Sequence, residues 1–146
     1  LYSPLNGQAI PLAEVKDETF AGEVLGKGMA VIPSEGVVKA PCDAEVSMVF
    51  DTKHAIGLTT ESGIELLIHV GLNTVELEGK YYTVHVNDGD KVKKGQTLIT
   101  FEMDKIKDAG YDVTTPMIVT NTDDFEEVTF LNAGTVNTDS RVLEVR

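Results

Sequence analysis

The chain has 146 residues, 42% of them hydrophobic, with 12 basic against 24 acidic side chains and a formal net charge of −12. That size and apolar content suit a single domain over 1–146 with a core of its own, and the charge disfavours nucleic acid and anionic membrane surfaces while favouring a basic partner protein. Cys42 is the only cysteine, which excludes an internal disulfide and a multi-thiolate metal site.

Taken in order, residues 1–12 (L-Y-S-P-L-N-G-Q-A-I-P-L) carry two prolines and an Asn-Gly pair, predicting short edge strands that close one side of a sheet. Residues 13–27 read as a polar loop in which Phe20, Val24 and Leu25 are isolated apolar points, suited to plugging a core or to touching a partner. Residues 28–33 and 36–41 are β-rich runs split by S-E-G, each ending at a proline, and predict a hairpin. Cys42 follows in the turn-like A-P-C-D-A, a setting for a small buried residue rather than a nucleophile. Residues 44–60 carry two longer strands, A-E-V-S-M-V-F-D-T and H-A-I-G-L-T-T. Across them Phe50, Thr52, His54, Ile56 and Leu58 recur at period two.

The next stretch, 63–79, reads G-I-E-L-L-I-H-V-G-L-N-T-V-E-L-E-G. Alternation puts Ile64, Leu66, Ile68 and Val70 on a core face and Glu65, Leu67 and His69 on the other. From Tyr81 onward, an N-D-G turn and a second turn at Lys94-Gly95 separate further apolar strands. Residues 102–110 are the one helical candidate, with Met103, Ile106 and Ala109 three apart and a terminal glycine. Residues 115–120, 126–131 and 141–146 supply closing strands, with N-T-D-D-F and N-A-G-T as turns. About ten short strands with regular turn signals predict an all-β, antiparallel sandwich or barrel with one or two short helices. A parallel α/β fold would need crossover helices that the sequence does not offer.

No apolar run approaches the roughly 20 residues that span a bilayer, and no secretory amino terminus is present. The chain starts at Leu1 without methionine, which fits a piece of a longer polypeptide. Phosphate loops, dinucleotide fingerprints, H-E-x-x-H and G-x-S-x-G are all missing. Histidine remains: His54, His69 and His85. Imidazole titrates near neutrality and serves as base, metal ligand or nucleophile. His69 stands on stiff backbone beside apolar Leu67, and Gly71 after it permits a partner or phosphate to come close. Thr52 shares the face of His54 at i−2, where its hydroxyl can fix the ring tautomer. His85 falls with Tyr81 and Thr83 on the less apolar face of its strand, the setting of an ordinary solvated histidine.

Three segments carry a resemblance: F-D-T-K-H-A-I-G-L, the 63–79 stretch, and V-N-D-G-D-K-V-K-K-G-Q-T-L. With F-A-G-E-V-L-G-K-G-M-A-V, A-P-C-D-A-E-V and T-P-M-I-V-T-N, the chain resembles, over nearly its whole length, the glucose-family IIA domain of the bacterial phosphoenolpyruvate:sugar phosphotransferase system. A lone G-D-K-V-K-K-G-Q-T-L also occurs in biotinyl-type carriers, but their modifiable lysine in an M-K-M-like motif is absent here.

The resemblance implies an antiparallel β-sandwich phosphocarrier whose acceptor is His69, loaded by the small protein HPr and discharged to a cysteine of a IIB domain. It implies a supporting role for His54 and for Thr52 behind it, and a cytoplasmic location, tethered to the membrane where the domain is fused to or associated with a IIC permease. Many relatives carry an aspartate four residues after the acceptor; Asn73 stands there and removes one charge. For protein partners, Leu67, Phe50, Val24, Leu25, Val75 and Gly71 are the expected docking collar. No cofactor is required on this reading. The rival reading is a regulatory or metal-binding interaction module in which His54 and His69 supply half of a zinc shell completed by a partner.

Overall fold

Residues 1–146 are described by the computed structural model, in which thirteen strands form. Eight belong to one antiparallel sheet: β1 (Gly7–Pro11), β2 (Lys27–Pro33), β4 (Ala44–Val49), β5 (Ala55–Thr59), β6 (Glu65–His69), β8 (Lys91–Val92), β10 (Thr115–Val119) and β12 (Gly134–Val136). Their order across the sheet is β12-β1-β2-β10-β6-β5-β4-β8. A second sheet, in the order β3-β9-β7, contains β3 (Val37–Lys39), β7 (Tyr82–Val84) and β9 (Thr97–Phe101). A small ribbon pairs β11 (Val128–Phe130) with β13 (Leu143–Val145). Helices are confined to α1 (Glu18–Ala21), α2 (Met103–Asp108) and three 3₁₀ turns.

The alternation in the sequence explains the sandwich. Met29, Met117, Ile68 and Ile56 sit opposite one another across β2, β10, β6 and β5, forming one continuous row on the inner face. All four are fully buried and belong to one core with Val38, Leu98, Ile99 and Tyr82 of the second sheet. Burying one such aliphatic side chain stabilises the fold by about 1.5–3 kcal/mol, so a one-residue slip in register would remove the whole row. The reverse face of the large sheet carries Ile118, Leu67 and His69. Part of it is covered by a second, smaller core in which Leu12, Val15, Phe20 and Leu72 pack on Ala30 and Ile118.

Several expectations change. Residues 28–33 and 36–41 do not form a hairpin, because both edges of β2 are occupied by β1 and β10 while β3 pairs with β9 in the other sheet. The S-E-G segment crosses between sheets. β1 lies inside the large sheet, since β12 covers its outer edge. That strand contains the Gly134-Thr135 expected as a turn; Gln8 donates to the Thr135 hydroxyl at 2.8 Å across the pair, a distant partner that local composition does not reveal. Residues 13–27 contain α1, whose Asp17 carboxylate accepts the Thr19 N–H as a helix cap. The period-two run from Phe50 to Leu58 is interrupted. Residues 50–54 are the turn of the β4–β5 hairpin, with Lys53 in left-handed backbone at φ 61°. Extra strands beyond the expected number are only two or three residues long.

Candidate functional site

The hairpin turn and the end of β6 bring His54 and His69 together. Ala55 pairs with His69 across the sheet, and Val70 N–H donates to the His54 carbonyl at 2.6 Å, joining the two main chains just beyond the strand ends. Ring centroids are 4.6 Å apart at an interplanar angle of 80°. Phe50 meets the His54 ring edge-on at 5.7 Å, and Phe20 of α1 lies 5.0 Å from the His69 ring. His54 is 2% exposed, whereas His69 is half-buried at the surface.

Each ring is oriented by a neighbour two residues away. His69 Nδ1 is 2.7 Å from the Gly71 carbonyl, which can only accept, so Nδ1 carries the proton and Nε2 keeps its lone pair. Thr52 Oγ1 lies 2.7 Å from His54 Nδ1. Gly71 has φ of 90°, and a Cβ there would come within 2.5 Å of the Thr74 methyl, so both its conformation and its surroundings require glycine. Asn73 also has left-handed backbone, at φ 59°, which asparagine tolerates. Its exposed side chain caps nothing.

Burial holds both imidazoles neutral. The pKa of His54 is pushed down to about 4, first by desolvation and then by a charge on His69, opposed by the backbone carbonyl of Thr52. That of His69 is lowered by burial, opposed by the Gly71 carbonyl and then by the Asp17 carboxylate. Two neutral rings in contact, one with a lone pair left on Nε2, can receive an electrophile on one nitrogen while the other ring offers an N–H to the oxygens around it.

The apolar residues expected to form a collar divide into two groups. Val24, Val75 and Leu25 are exposed at 73%, 51% and 40%, whereas Leu67 and Phe50 are half-buried. Leu67 shares the outer face of β6 with His69, and Gly71 is buried beneath the ring it orients. Met48, 47% exposed, lies in the same cross-strand row as Gly57 and Leu67, because a register shift between Val46 and Met48 turns it off the core face to which strict alternation from Val46 would assign it. Phe20 was legible only as an apolar point, since its contact with His69 depends on how α1 folds back. His85 is exposed on the other sheet, hydrogen-bonded to Thr100 at 2.9 Å. Cys42 is free and half-buried, and burial raises its thiol pKa.

The clefts beside Lys91, beside Arg141, beside Met103 and beside Tyr81 are lined by neither His54 nor His69. No group of three or more His, Cys, Asp or Glu side chains gathers anywhere in the molecule. A tetrahedral zinc ion at this pair would therefore draw its remaining ligands from elsewhere.

Residues 1–125 match the family model described as phosphoenolpyruvate-dependent sugar phosphotransferase system, EIIA 1. The chain belongs to that family. As an EIIA domain it is a phosphotransferase component of a sugar transport system. The beta-glucoside-specific EIIBCA component of Bacillus subtilis strain 168 is 51% identical over 125 residues, covering 86% of this EIIA chain and 20% of that protein. The beta-glucoside-specific EIIBCA component of Halalkalibacterium halodurans is 47% identical over 145 residues, 99% of this chain and 23% of that one. This EIIA chain thus spans about a fifth of the length of these relatives. Among solved structures, glucose permease IIA from Mycoplasma capricolum superposes with a TM-score of 0.89 at 32% identity, covering 98% of this chain and 92% of that one. The antiparallel β-sandwich is shared with it.

Proposed function

We propose that this EIIA domain carries a phosphoryl group on Nε2 of His69, taken from phospho-HPr and passed to a cysteine of a IIB domain. The observation that carries the reading is the hydrogen bond from His69 Nδ1–H to the Gly71 carbonyl, which leaves Nε2 as the nucleophile beside a second neutral imidazole. Nε2 attacks phosphorus, the N–P bond forms, and the donor departs with the electron pair of the bond that breaks. Positive charge then grows on the His69 ring, where the Gly71 carbonyl dipole faces it. In the second step the thiolate takes phosphorus and the pair returns to Nε2. A hydroxyl bond from Thr52 to His54 Nδ1 leaves Nε2–H of His54 as the donor to the phosphoryl oxygens, which move little between donor and acceptor.

Val24, Leu25, Val75, Leu67 and Phe50 form the apolar rim that docks both protein partners. The EIIBCA names of the relatives support a polypeptide in which IIB and the IIC membrane domain are covalently joined to this one, and such a fusion would hold it at the inner face of the membrane. No helix of this chain is long and apolar enough to cross a membrane itself. Incubation with phosphoenolpyruvate, enzyme I and HPr tests the proposal by intact mass. Gain of one acid-labile phosphoryl group, absent in His69→Gln, is expected. No gain with active HPr would overturn it.

A further inference from the structure

The peptide groups that follow His69 are each held by a different partner. Val70 N–H donates to the His54 carbonyl, as described. The Val70 carbonyl accepts two buried hydroxyls, Tyr82 Oη–H at 2.7 Å and Thr74 Oγ1–H at 2.7 Å. Leu72 N–H donates to the Asp112 carbonyl at 2.9 Å. Asp112 is fixed in turn, its carboxylate accepting the Thr114 N–H at 2.8 Å and hydroxyl at 2.6 Å.

Peptide planarity makes these bonds a positioning device. Fixing the Val70 carbonyl fixes the plane entering Gly71. Fixing Leu72 N–H sets the plane of the Gly71 carbonyl, the group that receives the His69 proton. Thr74 acts twice, because its methyl also packs where a Gly71 side chain would stand. Tyr82 reaches Val70 from β7 in the opposite sheet, 5% exposed within the core, where phenylalanine would fill nearly the same volume without needing a partner. One donor already satisfies a buried carbonyl; a second adds direction.

We infer that Tyr82 and Thr74 are positioning residues for phosphoryl transfer, their hydroxyls holding the backbone after His69 so that its proton stays on Nδ1 and Nε2 points outward. The inference rests on His69 being the acceptor. It deepens that reading by extending the site through the core to the second sheet.

The test uses Tyr82→Phe, Thr74→Val and the double variant, with Thr74→Ser as the version that retains a hydroxyl. Two readouts are needed: the ¹⁵N shifts of the unphosphorylated His69 ring, and the single-turnover rate of phosphoryl uptake across a range of phospho-HPr concentrations. The double variant is expected to show mixed His69 tautomers and an uptake rate at saturating donor about tenfold lower, with the half-saturating concentration unchanged. Each single variant, keeping one donor, falls less, and Thr74→Ser stays near wild type. A folded double variant with the wild-type tautomer and rate would overturn the inference, leaving the hydroxyls as mere partners of a buried carbonyl. If the double variant does not fold, Tyr82→Phe alone decides by the same readouts, wild-type values in both overturning it. If wild-type protein takes no phosphoryl group on His69, the acceptor reading fails separately, and the ring shifts still decide whether the hydroxyls set the tautomer.

Discussion

Two identical side chains are placed in different surroundings. His69 is half-buried with its proton tied inward to Gly71, while His54 is covered and faces Thr52. His54→Gln should therefore still accept a phosphoryl group but pass it to IIB more than about tenfold more slowly, because a stabilising N–H donor has been altered while the nucleophile remains. Rapid-quench transfer assays check this, and equal loss of acceptance in the His54 and His69 variants would contradict the division. The depressed pKa of His54 also predicts a stability window. At pH values between the unfolded value of 6.5 and the folded value of about 4, the unfolded chain binds more protons, so stability is complete above the upper limit and is lost as pH falls toward the lower. Denaturant titrations should show a loss on the order of 3 kcal/mol across that window, reduced in His54→Gln. A similar slope in both proteins would place the titration elsewhere. At this scale, alternation made the shared face of Leu67 and His69 legible. The Thr52–His54 contact arises in a turn at Lys53, not on a strand face, and the Tyr82–Val70 bond joins residues whose relation only the folded sheets create.

The site belongs to elements as much as to residues. β6 presents Leu67 and His69 on one face, and α1 lays Phe20 against the imidazole. Leu67→Asp should raise the half-saturating concentration of phospho-HPr about tenfold while leaving the melting temperature nearly unchanged, since Leu67 lies outside the main core. Unaltered transfer kinetics would show that the rim lies elsewhere. Phe20→Ala should destabilise the domain by about 3 kcal/mol and shift the His69 pKa upward, because burial is the leading cause of its depression. An NMR titration reads the shift, and a downward movement would contradict the assignment. β6, with strong alternation, was legible with its facing, whereas β10, buried along its whole length, was legible only as a strand. β2 and β3 were misjoined, because adjacency in sequence suggested a hairpin whereas both edges of β2 were taken by distant strands. β12 was missed for a similar reason: its turn-like composition is overridden by pairing with β1.

For the whole molecule, an all-β sandwich followed from many short strands and the lack of crossover helices, and one core shared by the two sheets makes it a stiff platform. Such a platform suits phosphoryl transfer between proteins, which needs alignment and charge stabilisation more than a deep cavity. The excess of acidic residues favours a basic partner, and the sequence could not say which face receives it. The most direct measurement is ¹H–¹⁵N and ³¹P NMR of the phosphorylated domain. Phosphorus is expected on Nε2 of His69, with Nδ1 still protonated toward Gly71. Phosphorus on Nδ1 of His69, or on His54, would contradict it.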